Sequence, residues 1–264
     1  MSFSVFVPIL SGILAGVVVN YLADVLPSTL RLGRPVCTNP DCKKPFPWTG
    51  YLFLQRCNNC LKPRACRTFA MLLLCIISAL FLWFESPLKL GFTLSIIVLA
   101  YLYLVALIDL EHRLILGPLS IAGVILTAAT GILLNGWLST LIGGLVGFAI
   151  MVLFYLFGKL FTRLRARRLG QDPKEMEEAL GSGDVTLATI LGLLLGWPLI
   201  WFGLLLGVLM GGLISLVIII IMLVKRKSKE QALMTFFPLG PAYIFSAILL
   251  VYLPNWVGRV LPGK

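Results

Sequence analysis

Charged side chains are scarce in this sequence, and the scarcity excludes a large class of proteins. Only 12% of the 264 residues are charged, whereas 59% are hydrophobic. A chain of this composition cannot be an ordinary soluble globule that hides its apolar residues in one core. The composition therefore predicts a membrane protein whose apolar segments lie in a lipid bilayer.

Histidine is almost absent, which narrows the chemistry that the chain can carry. His112 is the only histidine. A membrane metalloprotease needs two histidine ligands on one helix face, so that class is excluded. A serine mechanism at Ser182 would have no general base other than His112. His112 itself is interpreted as a solvated loop residue or as the partner of a carboxylate.

The apolar residues are grouped into segments of membrane-spanning length. About 20 helical residues cross about 30 Å of hydrocarbon, and eight segments come close to that length or exceed it. The sequence therefore predicts an all-α, polytopic membrane helix bundle with about eight transmembrane helices. Glycine pairs four residues apart, such as Gly143 and Gly147, predict close helix packing within it. The eight segments are residues 3–23, 68–85, 88–109, 116–135, 138–160, 185–202, 204–224 and 235–254.

The basic residues predict how this bundle is oriented. Cytoplasmic loops of membrane proteins collect lysine and arginine, and one orientation puts 19 of the 22 basic residues inside. In that orientation both termini lie outside and four loops, including residues 24–67, lie in the cytoplasm. Basic residues beside anionic lipid headgroups also account for the net charge of +11 without a nucleic-acid partner.

Residues 24–67 contain four cysteines in two closely spaced pairs. Cys37 and Cys42 are separated by four residues, and Cys57 and Cys60 by two. Two such pairs of thiolates can surround one tetrahedral Zn²⁺ ion, with no coordination position left open for catalysis. The sequence therefore predicts a small cytoplasmic insertion with a structural zinc site. Cys66 is interpreted as a free thiol or as a replacement for one ligand. The predicted domains are the first transmembrane helix at 1–23, the zinc-binding loop at 24–67 and the remaining bundle at 68–264.

Two aspartates are predicted to lie at the same membrane face. Asp109 ends the third predicted span in "LVALIDLEHRL", and Asp184 precedes the sixth in "GSGDVTLA". Two adjacent carboxyl groups cannot both ionise easily, so such a pair can accept a proton from water and donate one to a peptide. Gly181 and Gly183 would let a substrate strand lie beside Asp184. The alternative is that Asp184 simply caps a helix.

Two further acids lie at the same predicted level of the membrane. Asp24 ends the first predicted span, and Glu111 follows Asp109 by two residues. Both are interpreted as interfacial caps or loop charges rather than as catalytic groups.

The order of these motifs resembles the bacterial type IV prepilin peptidase family, whose members are membrane aspartyl proteases of the GxGD type. The resemblance implies that Asp109 and Asp184 are catalytic and that Cys37, Cys42, Cys57 and Cys60 bind zinc. The matching stretches are "GILAGVVVNYLADVLP" at 12–27, the four-cysteine loop, "ALIDLEHRLI" around Asp109, "ALGSGDVTLATILGLLLGWP" around Asp184 and "FFPLGPAYIFSAIL" at 236–249.

The resemblance also implies a reaction and a location. The reaction is removal of the short basic leader from type IV pilin or pseudopilin precursors at the cytoplasmic face of the bacterial inner membrane. Many members also methylate the new N-terminus with S-adenosylmethionine, an activity that these residues do not themselves indicate. The chain departs from the family pattern, for example with Ile115-Leu116-Gly117 in place of Ile-Pro-Asp. The alternatives are a noncatalytic scaffold for pilus or secretion assembly and a proton-coupled transporter.

An acidic segment before Asp184 offers a way to attract such a substrate. The stretch "QDPKEMEEALGSGD" holds five of the eleven acidic residues, among them Glu177 and Glu178. Because the other inner loops are basic, a basic leader would be drawn to this segment. The alternative interpretation is a solvated turn that balances the preceding "RLRARR" stretch.

Overall fold

The computed structural model is all-helical in the residues that it describes. These are 2–35, 37, 42, 47–52, 55, 60, 66–85, 89–169, 181–224 and 239–253. The helices within these ranges are α1 (Ser2–Thr29), α2 (Trp48–Leu52), α3 (Cys66–Glu85), α4 (Gly91–His112), α5 (Gly117–Asn135), α6 (Trp137–Leu169), α7 (Ser182–Leu195), α8 (Leu199–Val224) and α9 (Gly240–Tyr252).

Six of these helices are long and apolar enough to cross a membrane. They are α1, α3, α4, α5, α6 and α8. Helices α7 and α9 are also apolar but have only 14 and 13 residues, which extend about 20 Å and fall short of the hydrocarbon thickness. The predicted all-α, multi-pass membrane architecture is confirmed. The predicted count of eight spans is approximate, because six helices are of spanning length and two apolar helices are shorter. The predicted orientation and the inner-membrane location stay predictions.

The predicted span at 185–202 has the wrong boundary. Helix α7 ends before Gly196, whose φ of +68° lies in the left-handed region that favours glycine. Pro198 follows two residues later and has no N–H to continue the helical hydrogen bonds. Two hydrogen bonds with Ser139 stabilise the chain after this helix end. The Ser139 Oγ donates to the carbonyl of Trp197 at 2.7 Å, and the Ser139 carbonyl accepts the Trp197 N–H at 2.9 Å.

The chain divides into two compact units, residues Met1–His112 and Arg113–Lys264. In the first unit, α1 packs along α3 at a close approach, where a β-carbon on Gly12 would lie 2.7 Å from the Cα of Ile76. The side-chain amide of Asn20 donates to the carbonyl oxygens of Gly16 at 2.8 Å and Thr68 at 3.3 Å. Helix α4 supplies most of the remaining core of this unit. The predicted division at 1–23, 24–67 and 68–264 stays a prediction.

The second unit is built around α7. Its fully buried side chains include Leu187, Ile190, Leu191 and Leu194. A β-carbon on Gly143 of α6 would lie 2.5 Å from the carbonyl oxygen of Gly192 on α7. One turn further along α6, a β-carbon on Gly147 would lie 2.5 Å from the carbonyl oxygen of Ala188. The close helix packing predicted for Gly143 and Gly147 is therefore confirmed.

Candidate functional site

Three of the four predicted zinc ligands lie together in the first unit. The Sγ atoms of Cys37, Cys42 and Cys60 all lie within 4.8 Å of one another, and those of Cys37 and Cys60 are 3.7 Å apart. Four thiolates bound to zinc at about 2.3 Å stand about 3.8 Å apart in a tetrahedron, so the spacing fits a metal site. Cys57 lies outside the described residues. Cys66 is exposed at the start of α3 and does not join this thiol cluster.

A tyrosine connects the thiol cluster to the first helix. Tyr51, on the short helix α2, is only 3% exposed. Its Oη donates a hydrogen bond of 2.6 Å to Oδ2 of Asp24 near the end of α1. Its ring meets that of Tyr21 edge to face at 6.3 Å. The residues that pack against it are Tyr21, Cys37, Cys42 and Cys60.

Arg67 joins two acids that the sequence did not connect. Its Nη2 donates to Oδ1 of Asp24, and its Nη1 donates to Oε2 of Glu111. The Asp24 side chain is 3% exposed within α1, so Asp24 is a buried ion-pair partner and not a loop charge, while its interfacial position stays a prediction. Glu111 is likewise ion-paired, with a third of its side chain exposed.

Asp109 lies in the protein interior near the end of α4. It is 6% exposed, and Ile108 beside it is 1% exposed. Helix α4 packs against α1 and α3 in the same unit. A carboxylate at membrane depth is costly and usually faces protein or a wet cavity, so this burial agrees with the position expected of a functional acid.

Asp184 lies in the first turn of α7, in the second unit. The N–H of Gly181 donates to its Oδ2 at 3.3 Å, and its own N–H donates to the carbonyl of Gly181 at 3.1 Å. The carboxylate therefore does make the helix-capping contact of the alternative interpretation. Asp184 lies outside the six candidate spans, and burial raises the pKa of its carboxyl group, an effect that the bond from Gly181 opposes.

The two predicted substrate-contacting glycines have different surroundings. The nearest atoms to a β-carbon on Gly181 would be 3.9 Å and 4.0 Å away, and they belong to the same turn. A β-carbon on Gly183 would instead lie 3.1 Å from the side chain of Ile115. Among the described residues, the space next to Asp184 is therefore open on the Gly181 side. Glu177 and Glu178, the other predicted substrate contacts, lie outside the described residues.

Tyr243 is a neighbour of Asp184 that the sequence interpretation did not single out. It is 4% exposed on α9, and the charge of Asp184 acts on its phenol group. A β-carbon on Gly207 of α8 would collide with the Tyr243 ring. Gly207 makes room for the Tyr243 ring, but the sequence alone does not show that these two residues meet.

Comparison with known proteins finds a family match over the region that contains both aspartates. Residues 96–221 match the model of the type IV leader peptidase family. A search of curated proteins finds no significant match, and neither does a search of solved structures. Asp109 and Asp184 both fall within the matched residues, whereas the thiol cluster precedes them. Residues 96–221, just under half of the chain, are thus similar to the type IV leader peptidase family, and this match supports the resemblance seen in the sequence motifs.

Proposed function

We propose that the protein is an aspartic endopeptidase in which Asp109 and Asp184 form the catalytic pair. Its substrates are type IV pilin or pseudopilin precursors, from which it removes a basic leader at the cytoplasmic membrane face. The observation that carries the proposal is the family match, because residues 96–221 include both aspartates. The burial of Asp109 and the partial burial of Asp184 support it, since a solvated pair would not share a proton.

A contact in the second unit also supports the proposal. Ile115 packs against Gly183, next to Asp184, and follows Asp109 by six residues in the sequence. The segment that leaves α4 therefore runs past the turn that carries Asp184. Within this unit, the contact keeps the last residue of the "ALIDLEHRLI" motif beside the GxGD turn.

The proposed reaction divides two proton transfers between the carboxyl groups. The ionised group accepts a proton from water while the water oxygen attacks the carbonyl carbon of the scissile bond. The protonated group donates to the carbonyl oxygen, which gives a tetrahedral diol. The group that took the water proton then passes it to the leaving nitrogen as the C–N bond breaks, and the other group takes back the hydroxyl proton as the C=O bond re-forms. Burial raises the pKa of the Asp184 carboxyl group, which favours one protonated carboxyl group in the pair.

The thiol cluster has a structural role in this proposal. Cys37, Cys42 and Cys60, with Cys57 as the fourth ligand, would hold a Zn²⁺ ion. A bound ion would cross-link a segment that is too short to form a large core of its own. No catalytic step depends on it.

The test is to identify the product. Purified protein in lipid vesicles is incubated with a pilin precursor, and the product masses are measured. We expect one cut that removes the basic leader in front of the hydrophobic helix. A noncatalytic scaffold would bind the precursor and leave its mass unchanged. Adding labelled S-adenosylmethionine to the same assay tests for methylation of the new N-terminus.

A further inference from the structure

We propose that Arg67 is a positioning residue, which fixes the end of α4 that carries Asp109 by joining Asp24 to Glu111. The inference rests on the proposed catalytic role of Asp109. It adds a function for three residues that lie outside the catalytic pair.

The geometry brings three helix ends to one guanidinium group. Arg67 is the second residue of α3, Asp24 lies in the last turns of α1, and Glu111 is the last but one residue of α4. The planar guanidinium uses one terminal nitrogen for each carboxylate. An ammonium group lacks this fixed fork, so lysine would not hold both carboxylates in the same geometry.

The ion pairs are sheltered enough to constrain the helices. The side chain of Arg67 is 17% exposed and that of Asp24 is 3% exposed. Removal of one member of such a pair leaves a buried charge without its partner, which is strongly unfavourable. The helix ends would therefore shift to solvate that charge.

Glu111 transmits such a shift to the proposed active site. It lies two residues beyond Asp109 on the same helical turn, so its attachment to Arg67 limits movement of the Asp109 backbone. A catalytic group displaced by about 1 Å can lose about a hundredfold in rate. Substrate binding does not require this alignment and should change little.

The thiol cluster is connected to the same group of residues. Tyr51 packs on Cys37, Cys42 and Cys60, and it donates to the Asp24 oxygen that Arg67 does not use. A substitution of Tyr51 by phenylalanine removes this hydrogen bond and keeps the packing. We therefore expect Tyr51→Phe to act in the same direction as the Arg67 variants, but more weakly.

The experiment compares Arg67→Gln, Arg67→Lys and Glu111→Gln with two controls. Arg163→Gln and Glu85→Gln make the same charge changes at exposed positions of α6 and α3. All variants are purified as the full chain, and kcat, KM, zinc content and thermal unfolding are measured. Hydrogen exchange of the backbone at 105–112 reports directly on the end of α4.

We expect Arg67→Gln and Glu111→Gln to lower kcat by about tenfold or more, with KM within about twofold of the original value. Arg67→Lys should recover part of kcat, and exchange at 105–112 should rise in the glutamine variants. The controls should match the unaltered protein. A role confined to stability would lower the unfolding temperature and leave kcat of the folded fraction unchanged, and this result would overturn the proposal.

A separate measurement distinguishes this inference from the proposed function. If Asp109→Asn retains full cleavage, the catalytic assignment fails regardless of Arg67. If Asp109→Asn abolishes cleavage while Glu111→Gln and Arg67→Gln match their controls, only the positioning role fails. Should Arg67→Gln not fold, Glu111→Gln alone decides, because Glu111 is the most exposed member of the group.

Discussion

At the scale of single residues, the two glycines next to Asp184, Gly181 and Gly183, differ in the space around them. Gly181 has an extended backbone, with φ of −83° and ψ of 153°, that other residues readily adopt. In the described part of the chain, nothing outside its own turn lies within 4 Å of the place where its β-carbon would be. At Gly183, by contrast, the side chain of Ile115 leaves little room for a β-carbon.

This difference predicts distinct effects of two alanine substitutions. Gly181→Ala should leave thermal unfolding unchanged but raise KM for a precursor about tenfold, since a methyl group in a filled space costs about 1–3 kcal/mol. Gly183→Ala should lower stability as well, because Ile115 must move. Initial rates and unfolding curves of both variants test this. An unchanged KM in Gly181→Ala would show that the substrate does not occupy the open space.

The sequence predicted some of these residues and not others for physical reasons. Asp109 and Asp184 stand out because acids at the ends of apolar runs are costly. Arg67 was not recognised because its partners are 43 and 44 residues away and no local pattern connects them. Tyr243 was missed because one aromatic residue in an apolar helix cannot be distinguished from an ordinary packing residue.

At the scale of helices, the contact between α6 and α7 holds the turn of Asp184 in place within its unit. Gly143 and Gly192 face each other across this contact, and a β-carbon on either residue would meet the carbonyl oxygen of the other. Backbone atoms cannot move aside as a flexible side chain can. The helix pair therefore depends on the absence of side chains at these two positions.

We predict that Gly143→Ala destabilises the protein by about 1–3 kcal/mol, the usual effect of overpacking. Gly158→Ala is the matched control on the same helix, because no atom of the residues that the structure describes lies within 4 Å of its β-carbon position. It should change stability by no more than about 1 kcal/mol, in the favourable direction. Thermal unfolding in detergent measures both. Equal stability of the two variants would contradict the packing described for α6 and α7.

Helix existence could be predicted more reliably than helix boundaries. Long apolar runs predicted all six of the candidate spans, because only helices satisfy backbone hydrogen bonds in lipid. The break after α7 was missed because the hydropathy stays high through Gly196, Trp197 and Pro198. There the backbone conformation, and not the polarity, ends the helix.

At the scale of the whole molecule, metal content tests the thiol cluster. We predict about one zinc ion per chain, lost in Cys37→Ser and Cys60→Ser because each removes a thiolate ligand. Cys66→Ser is the matched control, since Cys66 lies outside the cluster. Elemental analysis of the purified variants provides the measurement. Full zinc content in Cys37→Ser would refute the site.

The distribution of charge over the chain predicts how substrates are attracted. Glu177 and Glu178 belong to the acidic segment of one predicted inner loop, whereas the other predicted inner loops are mostly basic. Reversing both to lysine should lower kcat/KM for a basic-leader precursor by about tenfold at low ionic strength. The loss should shrink in salt, where charges are screened. The control is Glu85→Lys, on the predicted opposite face of the membrane. Equal kcat/KM for the double-lysine variant and the unaltered protein would show that the acidic segment does not attract the leader.

The most direct test of the catalytic pair compares Asp109→Asn, Asp184→Asn and the double variant in the precursor-cleavage assay. Residues that act as a unit show grossly non-additive effects. We therefore predict that each single variant loses at least about a thousandfold in kcat/KM and that the double variant loses no more than either one. Substantial cleavage by either single variant, in a protein that folds normally, would contradict the account.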